Sequence, residues 1–317
     1  MTWGGAGSEH PLTFLRSLTP SGESRTVSDV LSDGDLSAVA RTILAEIGLS
    51  VTQPSRIATG RFNRVVVYDE IAVVVRVSDP AVSDEVRRGY AVAEALGTVG
   101  LGPRVITEVG GHVIAVLPRG EPLGVTPAAW TTTQHLAAHV HELDPGSTRG
   151  TLEDYDATLL VDRGLSTLRG TLFDSWVRPL SARSARIRAT LHRNRGPMVV
   201  LHGDLHPRQV MITAAGPRLG DLDFVRLGEL EADWGALVAG EYMGALVAGV
   251  VAETIATGRE HPRPDRLALY GEAHVLRSVV SLATRYLRGE TGIREDLLGA
   301  ARGAELPGIH SITCSRP

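Results

Sequence analysis

Residues 201–223 read LHGDLHPRQVMITAAGPRLGDLD, and the reading of the whole chain turns on them. They set His202, Asp204, Gln209, Asp221 and Asp223 among apolar runs. Asp204 follows the apolar run 198–201, so it is presented at a strand end or in the loop beyond it, where catalytic groups are commonly mounted. An aspartate there can accept a hydrogen bond from a hydroxyl and hold it in line with a γ-phosphate. Gln209 offers a side-chain carbonyl, an oxygen donor suited to a hard cation. Residues 210–213 read as a short strand, 215–217 as a turn and 218–223 as a second strand. Such a hairpin brings Gln209 and Asp221 to one end, where both can touch one ion. Taken singly, Asp204 or Asp221 reads equally well as an ordinary loop carboxylate; the spaced set implies phosphoryl transfer.

The bulk of the chain is compatible with that chemistry and excludes several others. Its 317 residues suffice for one large or two medium domains. With 43% hydrophobic and 21% charged residues, the composition is that of an ordinary globular protein. A net charge of −4 gives no reason to expect a nucleic-acid or membrane-surface partner. The apolar run 242–252 falls short of the roughly 20 residues a spanning helix needs. The N-terminal residues lack the pattern of a secretion signal, and Cys314 is the single cysteine, so a cytoplasmic setting without an intrachain disulfide is expected. The chain contains no lysine: all 32 Lys+Arg residues are arginine. Any phosphate-binding cation must therefore be arginine, which excludes a Walker lysine or a Schiff-base lysine.

Outside the motif, the pattern predicts an α+β protein. Residues 1–33 read as a loosely ordered leader. A helix follows, with Leu36, Ala40, Ile43, Leu44 and Ile47 on one face, Asp35 at its start and Gly48 at its end. Residues 64–68 and 71–77 predict a hairpin, 83–96 a helix, and 103–108 with 112–117 a second strand pair. Residues 34–117 thus make a small lobe with an antiparallel sheet. Residues 118–127, rich in Pro and Gly, read as a hinge, and 128–317 as a mainly helical lobe. Helices are expected over 130–142, over 153–193 with breaks at Gly164, Gly170 and Pro179, and over 231–255 and 265–287.

The pattern H-G-D-x-x-x-x-[N/Q]-V followed by D-x-D resembles the aminoglycoside phosphotransferase and choline kinase-like group, which shares a two-lobed protein-kinase-like fold. The resemblance extends to Leu136-Ala137-Ala138-His139-Val140-His141-Glu142-Leu143-Asp144-Pro145, to the linker from Leu117 to Leu123, and to Leu227-Gly228-Glu229 with Ala232-Asp233-Trp234. It implies an enzyme that moves the γ-phosphate of ATP or GTP, with Mg2+, onto a hydroxyl of an amino sugar, sugar or related small molecule. It implies Asp204 as the catalytic residue and Gln209 and Asp221 as metal ligands, with Asp223 helping a second metal or the acceptor. Thr59 to Val65 take the place of the nucleotide-covering loop, with Gly60 and Asn63 toward the nucleotide. The backbone at Val116 and Leu117 is expected to contact the base. Asp233 is expected to brace a helix start.

Three positions depart from the family pattern. Arg76 stands where a phosphate-pairing lysine is expected, and Gly89 where its glutamate partner is expected, so Glu85, one turn earlier, is the expected partner, with Glu94 a second choice. The mid-helix glycine suggests room for a ligand or a bend. Gln209 replaces asparagine, as in maltokinase-like relatives, which share the pattern's His206. These departures motivate one alternative, a pseudokinase-like nucleotide-binding scaffold; another is a kinase acting on a peptide in natural-product tailoring. His135, His139 and His141 have near metal-ligand spacing but match the family's helix end rather than a zinc site. Asp154, Asp156, Asp233, Glu241 and Glu272 are acidic candidates for holding a cationic acceptor. The oligomeric state is left open.

Overall fold

A computed structural model describes residues 32–59, 63–147, 152–193, 195–239, 251–252, 256 and 260–307. Residues 1–31 of the expected leader, Gly60, Glu241 and much of the expected helix over 231–255 lie outside them, while Ser32 caps and Asp33 opens the first helix. The described residues form two compact units, one running to Leu123 and including Gln209–Phe224, the other holding the remainder.

The first unit is built on a five-stranded antiparallel sheet. Helix α1 (Asp33–Glu46) opens one turn before the expected cap: Ser32 is the N-cap, and Asp35 closes a capping box with it. Strands β1 (Arg56–Thr59), β2 (Asn63–Tyr68), β3 (Val73–Ser78), β4 (Val105–Val109) and β5 (His112–Pro118) are ordered β1-β2-β3-β5-β4. Helix α2 (Ser83–Leu96) lies between β3 and β4 in sequence. Period-two alternation gives central β3 two buried faces. Val73, Val75 and Val77 pack with Leu36, Ala40, Ile43 and Leu44 of α1, while Val74 packs with Val86 and Tyr90 of α2. Arg76 alternates with the valines of the α1 face, so it lies on the α2 side, paired in register with Val65 and Ala115.

The same unit contains a three-stranded sheet, β6 (Glu121–Pro122), β8 (Val210–Thr213) and β9 (Gly216–Leu219), in the order β6-β8-β9. The expected second motif strand is shorter than its sequence suggests. It ends at Leu219, Asp221 takes a left-handed conformation (φ 52°), and Leu222–Phe224 form a 3-10 turn. An aspartate tolerates that backbone region better than most residues. The strand end is tied down by Leu219 N–H donating to Val99 O at 2.8 Å and Leu101 N–H donating to Leu219 O at 2.8 Å.

The second unit is mainly helical: α3 (Pro127–His141), α4 (Leu159–Leu168), α5 (Asp174–Arg193), α6 (Glu231–Val238), α7 (Pro264–Leu287) and α8 (Arg294–Gly303). A two-stranded pair joins them, β7 (Val199–Leu201) with β10 (Arg226–Gly228). The core gathers Phe173, Trp176, Leu180 and Ile187 with Leu276, Val279, Val280, Ala283 and Leu297. Of the breaks expected between 153 and 193, Gly170 ends a helix with φ 68°, whereas α4 and α5 run through Gly164 and Pro179. Burial of Trp176, Leu180 and Ile187 on one face of α5 outweighs the hydrogen bond its proline removes. Glu229, buried after β10, accepts from Gly196 N–H, Arg263, Arg266 and, at 2.9 Å, the Tyr270 hydroxyl, fixing the start of α7.

Candidate active site

The H-G-D loop leaves β7 in the second unit. Gly203 has φ 83°, a conformation a side chain disfavours, so the turn that presents Asp204 needs glycine. Buried Asp233, in the first turn of α6, accepts from His202 N–H at 2.7 Å and Gly203 N–H at 2.9 Å. His141, the last residue of α3, places Nε2 at 3.1 Å from the same carboxylate. Its Nδ1 meets Glu260, which also accepts from Trp234 Nε1 at 2.8 Å. Burial disfavours the imidazolium, but hydrogen bonds to Asp233 and Glu260 prevail and raise the His141 pKa to about 9. Asp233 therefore braces the H-G-D loop, and both ring nitrogens of His141 are engaged in this network. Its neighbour His139 lies 3.8 Å from Glu142.

Asp204 is presented with its side chain 26% exposed. Its N–H donates to His202 Nδ1 at 3.3 Å, and one carboxylate oxygen accepts from Arg277 Nη2 of α7 at 2.6 Å. Burial pushes the carboxyl pKa up, yet Arg277 and the neighbouring histidines hold it below the ordinary aspartate value. Burial also lowers the pKa of His206, favouring the neutral ring. The outcome is an ionised aspartate oriented by an arginine. Arg277 was not among the sequence candidates: it lies 73 positions from Asp204 on a helix whose pattern signals only packing.

In the first unit, Gln209 and Asp221 meet at one end of the β8–β9 hairpin, as their spacing predicts. Gln209 Nε2 donates to Asp221 Oδ2 at 3.2 Å, and Gly220 N–H donates to Gln209 O at 2.8 Å. Asp221 is 37% exposed. A half turn of the Gln209 amide exchanges its NH2 for a carbonyl oxygen, giving two adjacent oxygen donors of the kind Mg2+ accepts. Among the described residues no three His, Cys, Asp or Glu side chains converge as a metal cage. Magnesium in phosphoryl transfer does not need one, because substrate phosphates and water complete its shell.

Buried Arg76 forks onto Asp223: Nη1 donates to Oδ1 at 3.2 Å and Nη2 to Oδ2, with Asp221 Oδ1 3.8 Å from Nη2. Burial opposes the cation, but Tyr90, Asp223 and Asp221 raise the Arg76 pKa above its ordinary value. The expected partner Glu85 lies instead 3.6 Å from Arg88, and Glu94 is exposed. Gly89 explains this correction. A Cβ there would stand 2.7 Å from the Leu222 carbonyl carbon and oxygen, so α2 packs directly on the turn that carries Asp223. The space beside Gly89 is filled by backbone rather than left for a ligand.

Asn63 opens β2 opposite Ser78, and Val116 and Leu117 are buried in β5, where Val116 O accepts from Arg104 N–H at 2.7 Å. Gly60 lies outside the described residues. Four of the five acidic acceptor candidates are already engaged. Asp154 pairs with Arg195, Asp156 accepts from Thr158 and lies near Arg188, Asp233 holds the loop, and Glu272 pairs with Arg183 and Arg186. Glu241 lies outside the described residues.

The solved structures this chain resembles share its architecture. Choline kinase LicA from Streptococcus pneumoniae aligns with a TM-score of 0.64 at 12% identity, over 85% of this chain and 99% of that one. A choline/ethanolamine kinase family protein from Mesorhizobium loti aligns at 0.63 and 14%, over 87% and 97%. Macrolide 2'-phosphotransferase MphH from Brachybacterium faecium aligns at 0.56 and 16%, over 85% and 98%. No curated protein sequence matches the chain. No described helix is long and apolar enough to cross a membrane. The family model for the phosphotransferase enzyme family, APH, matches residues 55–270, and this chain, an α+β protein with a protein-kinase-like fold, is a phosphotransferase belonging to that family.

Proposed function

We propose that the chain is a magnesium-dependent kinase that transfers the γ-phosphoryl group of ATP or GTP to a hydroxyl of a small, sugar-like acceptor. The observation carrying this reading is the approach of Gln209 Nε2 to Asp221 Oδ2 at 3.2 Å, from which a half turn of the amide gives an oxygen donor pair. Magnesium, when bound with the nucleotide, neutralises charge on the transferring phosphoryl group. Arg76 steadies the phosphates, while Asn63 and the backbone near Val116 and Leu117 face the nucleotide. Asp204, held ionised by Arg277, accepts the hydrogen bond of the acceptor hydroxyl and aligns it for attack.

On the acceptor side, four of the five acidic candidates are occupied by the protein's own groups, and Arg277 adds positive charge beside Asp204. This favours a neutral polyhydroxylated acceptor over a polycationic amino sugar. The test is a panel of sugars, amino sugars, choline-like amines and nucleosides, assayed with Mg2+ and either ATP or GTP. Phosphorylation of a neutral sugar, lost in Asp204→Asn by about 100- to 10,000-fold in kcat, supports the reading. Nucleotide binding without turnover of any acceptor favours the scaffold alternative, and preferred turnover of amino sugars overturns the acceptor assignment.

A further inference from the structure

The Arg76–Asp223 fork and the backbone contact at Gly89 have one physical cause. A side chain at residue 89, glutamate included, is excluded because its Cβ would also stand 3.0 Å from Asp223 N. The same close approach brings the Leu222–Phe224 turn under β3, where Asp223 meets the buried guanidinium with both oxygens. A helix carboxylate at residue 89 and a turn this near are mutually exclusive. An unpaired arginine in that place would leave a buried charge uncompensated, so the turn must supply the acid.

We propose that Asp223 is a positioning residue: it holds Arg76 in the geometry that meets the nucleotide phosphates, in place of a helix glutamate, and Gly89 makes that exchange possible. The assignment rests on the nucleotide reading above. It also reassigns Asp223, expected from the sequence to help a second metal or the acceptor. A metal ion on Asp223 has to displace a two-point fork and sit beside a buried cation, whereas Asp221 is more exposed and only 3.8 Å from Arg76 at its nearest. The guanidinium has five N–H donors and spends two on Asp223, leaving three, and Nε is buried without a hydrogen-bond partner among the described residues.

The test is a double-mutant cycle on nucleotide affinity. Titrations of Mg·ATP and Mg·GTP, and of Mg2+ at fixed nucleotide, compare the full-length protein with Asp223→Asn, Arg76→Gln and the double variant. Asp223→Asn should raise the nucleotide Kd by about tenfold or more, and the double variant should match Arg76→Gln within about twofold. In the Arg76→Gln background, removing the Asp223 charge should leave the Mg2+ requirement unchanged. A double variant weaker than Arg76→Gln by the full Asp223→Asn factor, or one needing more Mg2+, overturns the assignment. Each single change strands a buried group, so the double variant should also melt above either single variant; if Asp223→Asn does not fold, the Arg76→Gln and double-variant comparison still decides. Failure of the unmodified protein to bind either nucleotide overturns the functional reading and this assignment together. Normal binding with additive effects overturns this assignment alone.

Discussion

Single residues show how the candidate phosphate site is built without lysine. An arginine in β3 can grip a carboxylate by two parallel hydrogen bonds, which an ammonium group cannot do, and Arg76 does this with Asp223. A second arginine sets the state of the Asp204 carboxylate, the proposed base. Arg277 is the first cause that lowers the Asp204 pKa against burial. A depressed carboxyl pKa keeps the group ionised to lower pH, so losing the arginine should shift ionisation upward. Arg277→Met should therefore move the acidic limb of the kcat/KM profile to higher pH and lower kcat at neutral pH, checked by steady-state rates across pH. An unchanged acidic limb would show that Arg277 does not control Asp204.

At the level of elements, the decisive contact is helix α2 resting on the 3-10 turn after β9. In an exposed helix, Gly→Ala usually stabilises by roughly 1 kcal/mol. At Gly89 the added methyl would meet backbone at 2.7 Å, and backbone cannot swing aside as a flexible side chain can. Overpacking of this kind costs about 1–3 kcal/mol. Gly89→Ala should therefore lower the melting temperature despite better helix propensity, and weaken nucleotide binding by displacing Asp223. A rise in melting temperature would show that the contact is slack. The hairpin holding Gln209 and Asp221 was legible in the sequence because turn residues and strand spacing act locally. Its abrupt end at Leu219 was not, because it depends on Asp221 adopting a left-handed backbone and on hydrogen bonds to Val99 and Leu101.

For the molecule as a whole, stability is coupled to pH through the buried network beneath the H-G-D loop. His141 has a folded-state pKa of about 9 against an ordinary value of 6.5. A raised pKa contributes stability that is complete below pH 6.5 and is lost as pH rises through about 9. Asp233 has a lowered pKa, so its contribution is present above the ordinary carboxylate range and lost in acid. Melting temperatures should thus fall between pH 6.5 and 9, and His141→Gln should flatten that slope while lowering stability at pH 6; an unaltered slope would count against a charged His141. The sequence by itself determined the kinase-like fold class and the chemistry. The alternation in β3, the amphipathic face of α1 and the spacing of Asp204, Gln209 and Asp221 are local patterns that survive in one dimension. Only the tertiary structure decided the partners. Asp223 reaches Arg76 across 147 positions, Arg277 reaches Asp204 across 73, and His141 reaches Asp233 across 92. The first pairing follows from backbones packed closely enough at Gly89 to exclude a side chain, and all three depend on tertiary packing that no local pattern of residue types encodes.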